Sequence, residues 1–114
     1  MNLQVYKRCI DACNDCAYAC NECISESLRE YDVRPFANCI ALARECAMIC
    51  SATAELLATG SENALLLCNP CAIICGACAA ECEQNSSNEV CRRCAEECRK
   101  CAEECLEMIE VPIH

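Results

Sequence analysis

The sequence predicts an all-α protein, an antiparallel up-down four-helix bundle with a cysteine-lined core. Two observations lead to this fold: cysteines recur three and four residues apart, and glycine, proline and polar breakers divide the chain into four segments. Residues three and four apart share one face of an α-helix, so this spacing puts the sulfurs in a stripe. At 114 residues the chain is expected to form a single domain, residues 1–114.

The first helix is predicted from about Leu3 to Leu28, and the second from about Pro35 to Thr59. Proline is favoured in the first turn of a helix, and Gly60 provides a C-terminal stop. The stripe of the first helix contains five cysteines, Cys9, Cys13, Cys16, Cys20 and Cys23. The second helix has three, Cys39, Cys46 and Cys50, and its remaining stripe positions are Phe36, Ala43, Thr53 and Leu57.

Ser61 is predicted to cap a third helix that reaches about Gln84, with a kink at Pro70. The fourth helix is predicted to open with a capping box at Ser86 and Glu89 and to continue to about residue 109. Their stripes are Cys68, Cys71, Cys75, Cys78 and Cys82, and Cys91, Cys94, Cys98, Cys101 and Cys105. The connections are short, so neighbouring helices are expected to run antiparallel.

Antiparallel packing of the four stripes predicts layers in which each helix contributes one residue to the axis. Five middle layers hold three, four, four, three and four cysteines, which accounts for all 18, and Ala43 and Thr53 fill the two remaining positions. The end layers are Tyr6, Leu57, Ala64 and Met108, and Ser27, Phe36, Asn85 and Ser87. Cysteine can serve as a small core hydrophobe. A core of thiols alone would be underpacked, however, so the axis is expected to hold metal ions.

Composition argues against several other classes of protein. A net charge of −9 without a basic patch disfavours a nucleic-acid partner. The N-terminal segment has no apolar leader, so a cytoplasmic location is expected, where thiols stay reduced and a disulfide scaffold is disfavoured. Residues 63–80 carry no charge and approach the length of a membrane span. The cysteines and Pro70 within that segment favour a packed helix, and no membrane partner is expected.

The charge of the thiolates favours Cu(I) over other soft metal ions. Thiolates suit Cu(I), Zn(II) and iron–sulfur clusters. One Cu(I) per cysteine neutralises 18 thiolates, whereas unbridged tetrahedral zinc would use at most four ions, whose eight positive charges leave ten negative. A metallothionein-like Zn(II) buffer remains an alternative. A thiol redox or iron–sulfur electron carrier is a weaker one, because the usual cluster spacing is missing. No catalytic residues are predicted, and the protein is not expected to be an enzyme.

Three stretches of the sequence resemble the bacterial copper storage proteins: CIDACNDCAYACNEC, CNPCAIICGACAAEC and CRRCAEECRKCAEEC. The resemblance covers nearly the whole chain. It implies a four-helix bundle whose core cysteines bind many Cu(I) ions, assembled as a homotetramer. Because no export signal is visible, the chain is most similar to the cytosolic branch of that family.

Two further predictions concern the ends and the outer surface of the bundle. Met108 takes the next core position after Cys105, and its thioether suits Cu(I), so it is a candidate relay for incoming ions. His114 is a candidate helper at the same end. The outward positions of the third helix are apolar, which predicts an oligomer contact: Leu66, Ile73, Ala77 and Ala80.

Overall fold

The protein, as described by a computed structural model of residues 3–110, contains four α-helices and one short 3-10 helix. The α-helices are α1 (Leu3–Ser27), α2 (Ala37–Ala58), α3 (Ala64–Glu83) and α4 (Glu89–Glu110), and the 3-10 helix is Arg34–Phe36. No strand occurs within residues 3–110. The predicted all-α four-helix architecture is therefore confirmed.

The four helices form an elongated bundle, with principal extents of 52 × 19 × 18 Å for the described residues. Both α1 and α3 pack against α2 and α4. Each helix therefore has two neighbours, and α1 lies diagonally across the bundle from α3. Short connections join consecutive neighbours, which gives the antiparallel up-down order that the sequence predicts.

The second helix begins later than predicted, because a separate turn precedes it. Pro35 lies in the 3-10 helix, and α2 starts at Ala37. The carboxylate of Asp32 stabilises this turn: it accepts a hydrogen bond from the backbone N–H of Arg34 at 3.1 Å and one from the Arg34 Nε at 2.9 Å. Pro35, which predicted the start of the second helix, therefore lies in the short 3-10 helix immediately before α2.

The C-terminus of α2 is as predicted. Gly60 has a φ of +73°, a left-handed conformation that glycine adopts without a Cβ clash. Its N–H donates to the carbonyl of Leu57, and the N–H of Ser61 donates to the carbonyl of Leu56, at 3.1 and 3.0 Å. These two bonds form a Schellman motif, which satisfies the last carbonyls of the helix.

The predicted role of Ser61 as cap of the third helix is wrong. Ser61 belongs to the Schellman motif, and α3 begins three residues later at Ala64. The Ser61 hydroxyl accepts from the N–H of Asn63 at 3.1 Å, within the turn. Pro70 lies inside α3, which continues on both sides of it.

The predicted capping box of the fourth helix is also wrong. Asn88, not Ser86, caps α4: its Oδ1 accepts from the N–H of Val90 at 2.9 Å and from that of Cys91 at 3.2 Å. Asparagine is as good an N-cap as serine. Asn88 directly precedes Glu89, the first residue of α4, and the residues before it form turns.

Within residues 3–110, α3 alone is long and apolar enough to cross a membrane by length and composition. Core helices of bundles meet the same test. The cysteine side of α3 is fully buried against the other helices, and the apolar residues on its opposite side are exposed.

Candidate metal centre

All 18 cysteines are free and have no exposed surface. This arrangement follows from the spacing along each helix, because positions three and four apart return to the face that meets the bundle axis. Small residues beside the stripe let the helices approach closely, and several of them are themselves buried: Ala12, Ala47, Ala72, Ala79 and Ala95. The axis is therefore lined almost entirely by sulfur.

The sulfurs occupy the layers that the sequence predicts. Across the axis, Sγ–Sγ distances within single layers lie between 3.0 and 3.8 Å for the pairs Cys9–Cys105, Cys13–Cys101, Cys50–Cys71, Cys16–Cys46, Cys46–Cys75, Cys20–Cys94, Cys23–Cys39 and Cys39–Cys82. Each of these pairs joins two different helices. The predicted layer positions are therefore confirmed for these thiols.

Contacts between layers join the sulfurs into a row. Cys13 lies 4.0 Å from Cys105, and Cys20 lies 3.8 Å from Cys98 in the next layer. In the centre, Cys46 and Cys50 are 3.9 Å apart on α2 and connect two adjacent four-cysteine layers. Cys46 also contacts Cys16, Cys75 and Cys98, and Cys50 also contacts Cys71, Cys75 and Cys101.

Groups of four thiols are already close enough to hold metal ions. In each group the four Sγ atoms lie within 4.8 Å of one another, as in Cys13, Cys71, Cys101 and Cys105, and in Cys16, Cys46, Cys50 and Cys75. Neighbouring groups share members, since Cys50 also belongs to the group Cys50, Cys71, Cys75 and Cys101. Shared sulfurs suit bridging thiolates along a row better than separate closed tetrahedra, which each need four sulfurs of their own.

The thiols depend on one another for their protonation. Burial, followed by the charge of the neighbouring Cys23 sulfur, raises the pKa of Cys91 to about 12. Between Cys23 and Cys39, one sulfur donates its hydrogen and the other accepts: this bond raises the pKa of Cys39 and lowers that of Cys23. Metal ions that bind here must displace thiol protons, so metal affinity is expected to fall as the pH falls.

Two axial positions in these layers are not cysteine. Ala43 and Thr53 have no exposed surface and lie on α2, the helix with the fewest thiols. The Thr53 hydroxyl donates to the carbonyl of Ile49 at 2.7 Å, so this buried polar group is satisfied within its own helix. Neither residue offers a soft ligand.

Different kinds of side chain close the two ends of the sulfur row. At one end Met108, Leu57 and Ala64 are buried, with exposed fractions of 1, 3 and 1%, and Tyr6 is half-buried. Met108 therefore lies next to the layer of Cys105, as predicted, whereas His114 lies outside the described residues. At the other end Ser27 is buried, and its Oγ lies 3.9 Å from the Sγ of Cys23.

Helical spacing alone did not reveal a buried carboxylate beside the Met108 end. Glu104 lies one turn after Lys100 on the charged side of α4, but its Oε2 is buried without a hydrogen bond. The nearest cation is Arg8 of α1, whose Nε is 3.5 Å from Glu104 and whose Nη2 is 3.1 Å from Glu107. Burial, and then the charge of Glu107, raises the pKa of Glu104. The pairing was not predictable, because Arg8 belongs to another helix.

In a comparison with protein families, the chain matches a family model described as copper storage protein over residues 2–110. Among curated proteins, the chain is 40% identical over 93 residues to YhjQ of Bacillus subtilis (strain 168), an uncharacterized cysteine-rich protein. That alignment covers 82% of this chain and 85% of YhjQ.

Solved structures match over almost the whole bundle. The Cu(I)-bound copper storage protein BsCsp3 superposes with a TM-score of 0.88 at 39% identity, covering 92% of this chain and 98% of that one. A cytosolic copper storage protein from Streptomyces lividans, with five coppers, superposes with a TM-score of 0.90 at 36% identity. In that case the match covers 96% of this chain and 95% of the other.

Proposed function

The chain belongs to the copper storage protein family, and on this premise we propose that it stores Cu(I) as cargo on its core thiolates, about one ion per cysteine. The observation that carries the proposal is the complete burial of all 18 sulfurs along one axis. The proposed ligands are Cys9, Cys13, Cys16, Cys20, Cys23, Cys39, Cys46, Cys50, Cys68, Cys71, Cys75, Cys78, Cys82, Cys91, Cys94, Cys98, Cys101 and Cys105.

Charge and softness support Cu(I) as the cargo. Burying unpaired thiolates is costly, and one monovalent ion per thiolate removes the whole charge. The short contacts between sulfurs of adjacent layers, such as 3.5 Å between Cys50 and Cys75, suit ions that share thiolates. A zinc buffer is less favoured, because the four-sulfur groups overlap. The Cu(I)-bound relative supports the same choice of metal.

The protein is proposed to act in the cytosol as a non-catalytic store, without a nucleic-acid or membrane partner. The similarity to a cytosolic copper storage protein supports this location. The shared core of the four helices supports the prediction that the chain is one domain. A store of this kind lowers the concentration of free Cu(I) around it.

Titration of the reduced protein with Cu(I) under anaerobic conditions tests the proposed function. Uptake is expected to saturate near 18 ions per chain, because each buried thiolate is neutralised by one ion. Zn(II) present in equal amount is expected to leave this endpoint unchanged. An endpoint near four ions, or displacement of copper by zinc, would instead indicate isolated tetrahedral sites.

The outer face of α3 supports a proposed homotetramer. Leu66 and Ile73 are exposed at 72% and 63%, although they lie on the most apolar helix of the bundle. Exposed apolar residues that lie together on a helix commonly mark protein contacts. A second copy of this chain is the occupant that the resemblance to the family implies.

Ile73→Glu is expected to dissociate the proposed oligomer, because it would bury an unpaired charge in an apolar contact. Light scattering of both proteins at the same concentration measures the change. Tyr18→Glu is a matched control, since Tyr18 is exposed at 71% on α1, across the bundle from α3. A wild-type protein that scatters as a monomer would refute the assembly outright.

Copper is proposed to enter at the Met108 end of the bundle. The opposite end is crossed by a contact between loops, since the Asn88 side-chain amide donates to Glu30 at 3.3 Å. At the Met108 end the turn at Gly60 connects α2 to α3, and Met108 provides a soft sulfur next to Cys105. His114 is proposed to assist at this end.

Met108→Leu is expected to slow Cu(I) uptake from a chelator several-fold at unchanged capacity, since leucine keeps the packing and removes the thioether. Met48→Leu is the matched control, because Met48 is exposed at 68% on the outer side of α2. A chain truncated after Pro112 tests His114 separately. Equal uptake rates in all variants would indicate that copper enters at the other end of the bundle.

A further inference from the structure

Ser27 lies at the position where a sixth thiol would continue the cysteine pattern of α1. The stripe of α1 runs Cys9, Cys13, Cys16, Cys20, Cys23 and then Ser27, with alternating steps of four and three residues. Ser27 is 1% exposed, and its Oγ lies 3.9 Å from the Sγ of Cys23. Thiol pairs one turn apart have the same separation, 3.9 Å for Cys46–Cys50 and 4.0 Å for Cys71–Cys75.

A hydroxyl at this position has different chemistry from a thiol. Oxygen is a hard ligand that suits Cu(I) poorly, whereas the hydroxyl hydrogen is a good donor to a thiolate. A row of copper ions and thiolates must end in a layer that has metal on one side only, so its sulfurs keep more negative charge. A buried charge of this kind is stabilised by a hydrogen bond from a neighbouring donor.

The layer beside Ser27 fits the description of such an end. Cys23 lies 3.5 Å from Cys39 and 4.0 Å from Cys91, and Cys39 lies 3.0 Å from Cys82, so one thiol of each helix is present. Beyond Ser27 the chain leaves the helix and forms turns. Ser27 is thus the last buried polar group before the loops.

We propose that Ser27 ends the copper row: it donates its hydroxyl to the Cys23 thiolate of the loaded layer and takes the place of a further ligand. The inference rests on the proposed function and makes it more specific. Ser27 is a positioning residue, because it acts through Cys23 and does not itself bind copper. The thiol proton of Cys23 is lost to solvent when Cu(I) binds, and the serine hydrogen then has a thiolate acceptor.

Converting the serine to a thiol tests the geometry of the row. Ser27→Cys is expected to raise the anaerobic Cu(I) capacity by about one ion per chain, because the new sulfur extends the row at the same spacing. The matched control is Ser87→Cys, because Ser87 lies four residues before Cys91, in the turn that precedes α4, and is exposed. That surface thiol is expected to give its copper up to a chelator.

Removing the hydroxyl tests the hydrogen bond. Ser27→Ala is expected to keep the wild-type capacity but to lose copper from the Cys23 layer about tenfold faster to a chelator, because a bond to a charged group is lost. Alkylation of Cys23 in the loaded protein, followed by mass spectrometry, locates the loss. Ser27→Thr keeps the hydroxyl and is expected to restore the wild-type rate.

The outcomes separate this inference from the proposed function. A structural role alone would lower the thermal stability of the copper-free Ser27→Ala variant without exposing Cys23 in the loaded protein. If Ser27→Cys adds no ion and Ser27→Ala releases copper at the wild-type rate, Ser27 does not end the row, although a wild-type capacity near 18 keeps the store intact. A wild-type protein that takes up no copper would overturn the store itself.

Discussion

Loading with Cu(I) is expected to raise the thermal midpoint of the protein by more than about 20 °C. The core is built from small thiols, and ions that bind the folded row stabilise it by mass action. Even about 1 kcal/mol per ion, over 18 sites, far exceeds the few kcal/mol that shift a domain of this size by about 20 °C. Thiols of the unfolded chain also bind Cu(I), but without the closed layers that hold shared ions.

Anaerobic calorimetry of the copper-free and loaded proteins measures this shift. A protein loaded in the same way and then stripped with excess chelator is the control, and it is expected to return to the lower midpoint. A shift of only a few degrees would show that the ions bind at the surface, where folding does not depend on them.

Removing the two central thiols of α2 is expected to divide the row into two parts. Cys46 and Cys50 connect the two adjacent four-cysteine layers at the centre, so Cys46→Ser with Cys50→Ser removes sulfurs that several ions share. Capacity is expected to fall by at least two ions. The remaining central copper is expected to pass to a chelator at least tenfold faster than in the wild type, since shared ligands are lost.

The matched control removes the same number of thiols from an end layer, as Cys9→Ser with Cys68→Ser. This variant is expected to lose about two ions and to release the rest at nearly the wild-type rate, because the centre stays connected. Copper released over time to a coloured chelator measures both variants. Identical release from both variants would mean that the thiols bind ions independently, without a shared row.

The period of the cysteines was sufficient to predict the bundle and its layers. A spacing of three and four residues allows only one face of a helix to carry the sulfurs, and antiparallel neighbours then fix the register across the axis. The confirmed contact of Cys13 with Cys101, which lie 88 positions apart, follows from this spacing and the antiparallel packing. Burial of Met108 beside the Cys105 layer follows from the same period.

Features that depend on competition between local groups were harder to predict. Ser86 and Asn88 are both good caps, and spacing does not say which one the backbone will use; Asn88 caps α4. Ser61 is a residue type that often caps helices, but here its N–H donates to the carbonyl of Leu56 in the motif that ends α2. The burial of Glu104 against Arg8 depends on how far apart α1 and α4 lie, a quantity that no single helix encodes.

The burial of Ser27 could be predicted from the sequence only in part. Its place in the α1 stripe is visible in the sequence, where it was assigned to an end layer with Phe36, Asn85 and Ser87. Of these residues Ser27 alone is fully buried, whereas Ser87 is exposed and Phe36 and Asn85 are partly covered. The difference arises because α1 stays helical through Ser27, whereas the other three lie outside the long helices, in turns or in the 3-10 helix.

The central claim is that Cu(I) fills the axis of the bundle as one row on shared thiolates. The most direct test is a crystal structure of the fully loaded protein, with the copper positions located from anomalous scattering. The account predicts copper along the whole axis, from the layer of Cys9, Cys68 and Cys105 to the layer of Cys23, Cys39, Cys82 and Cys91, with thiolate ligands throughout. A few isolated four-sulfur sites, or copper bound mainly outside the core, would contradict it.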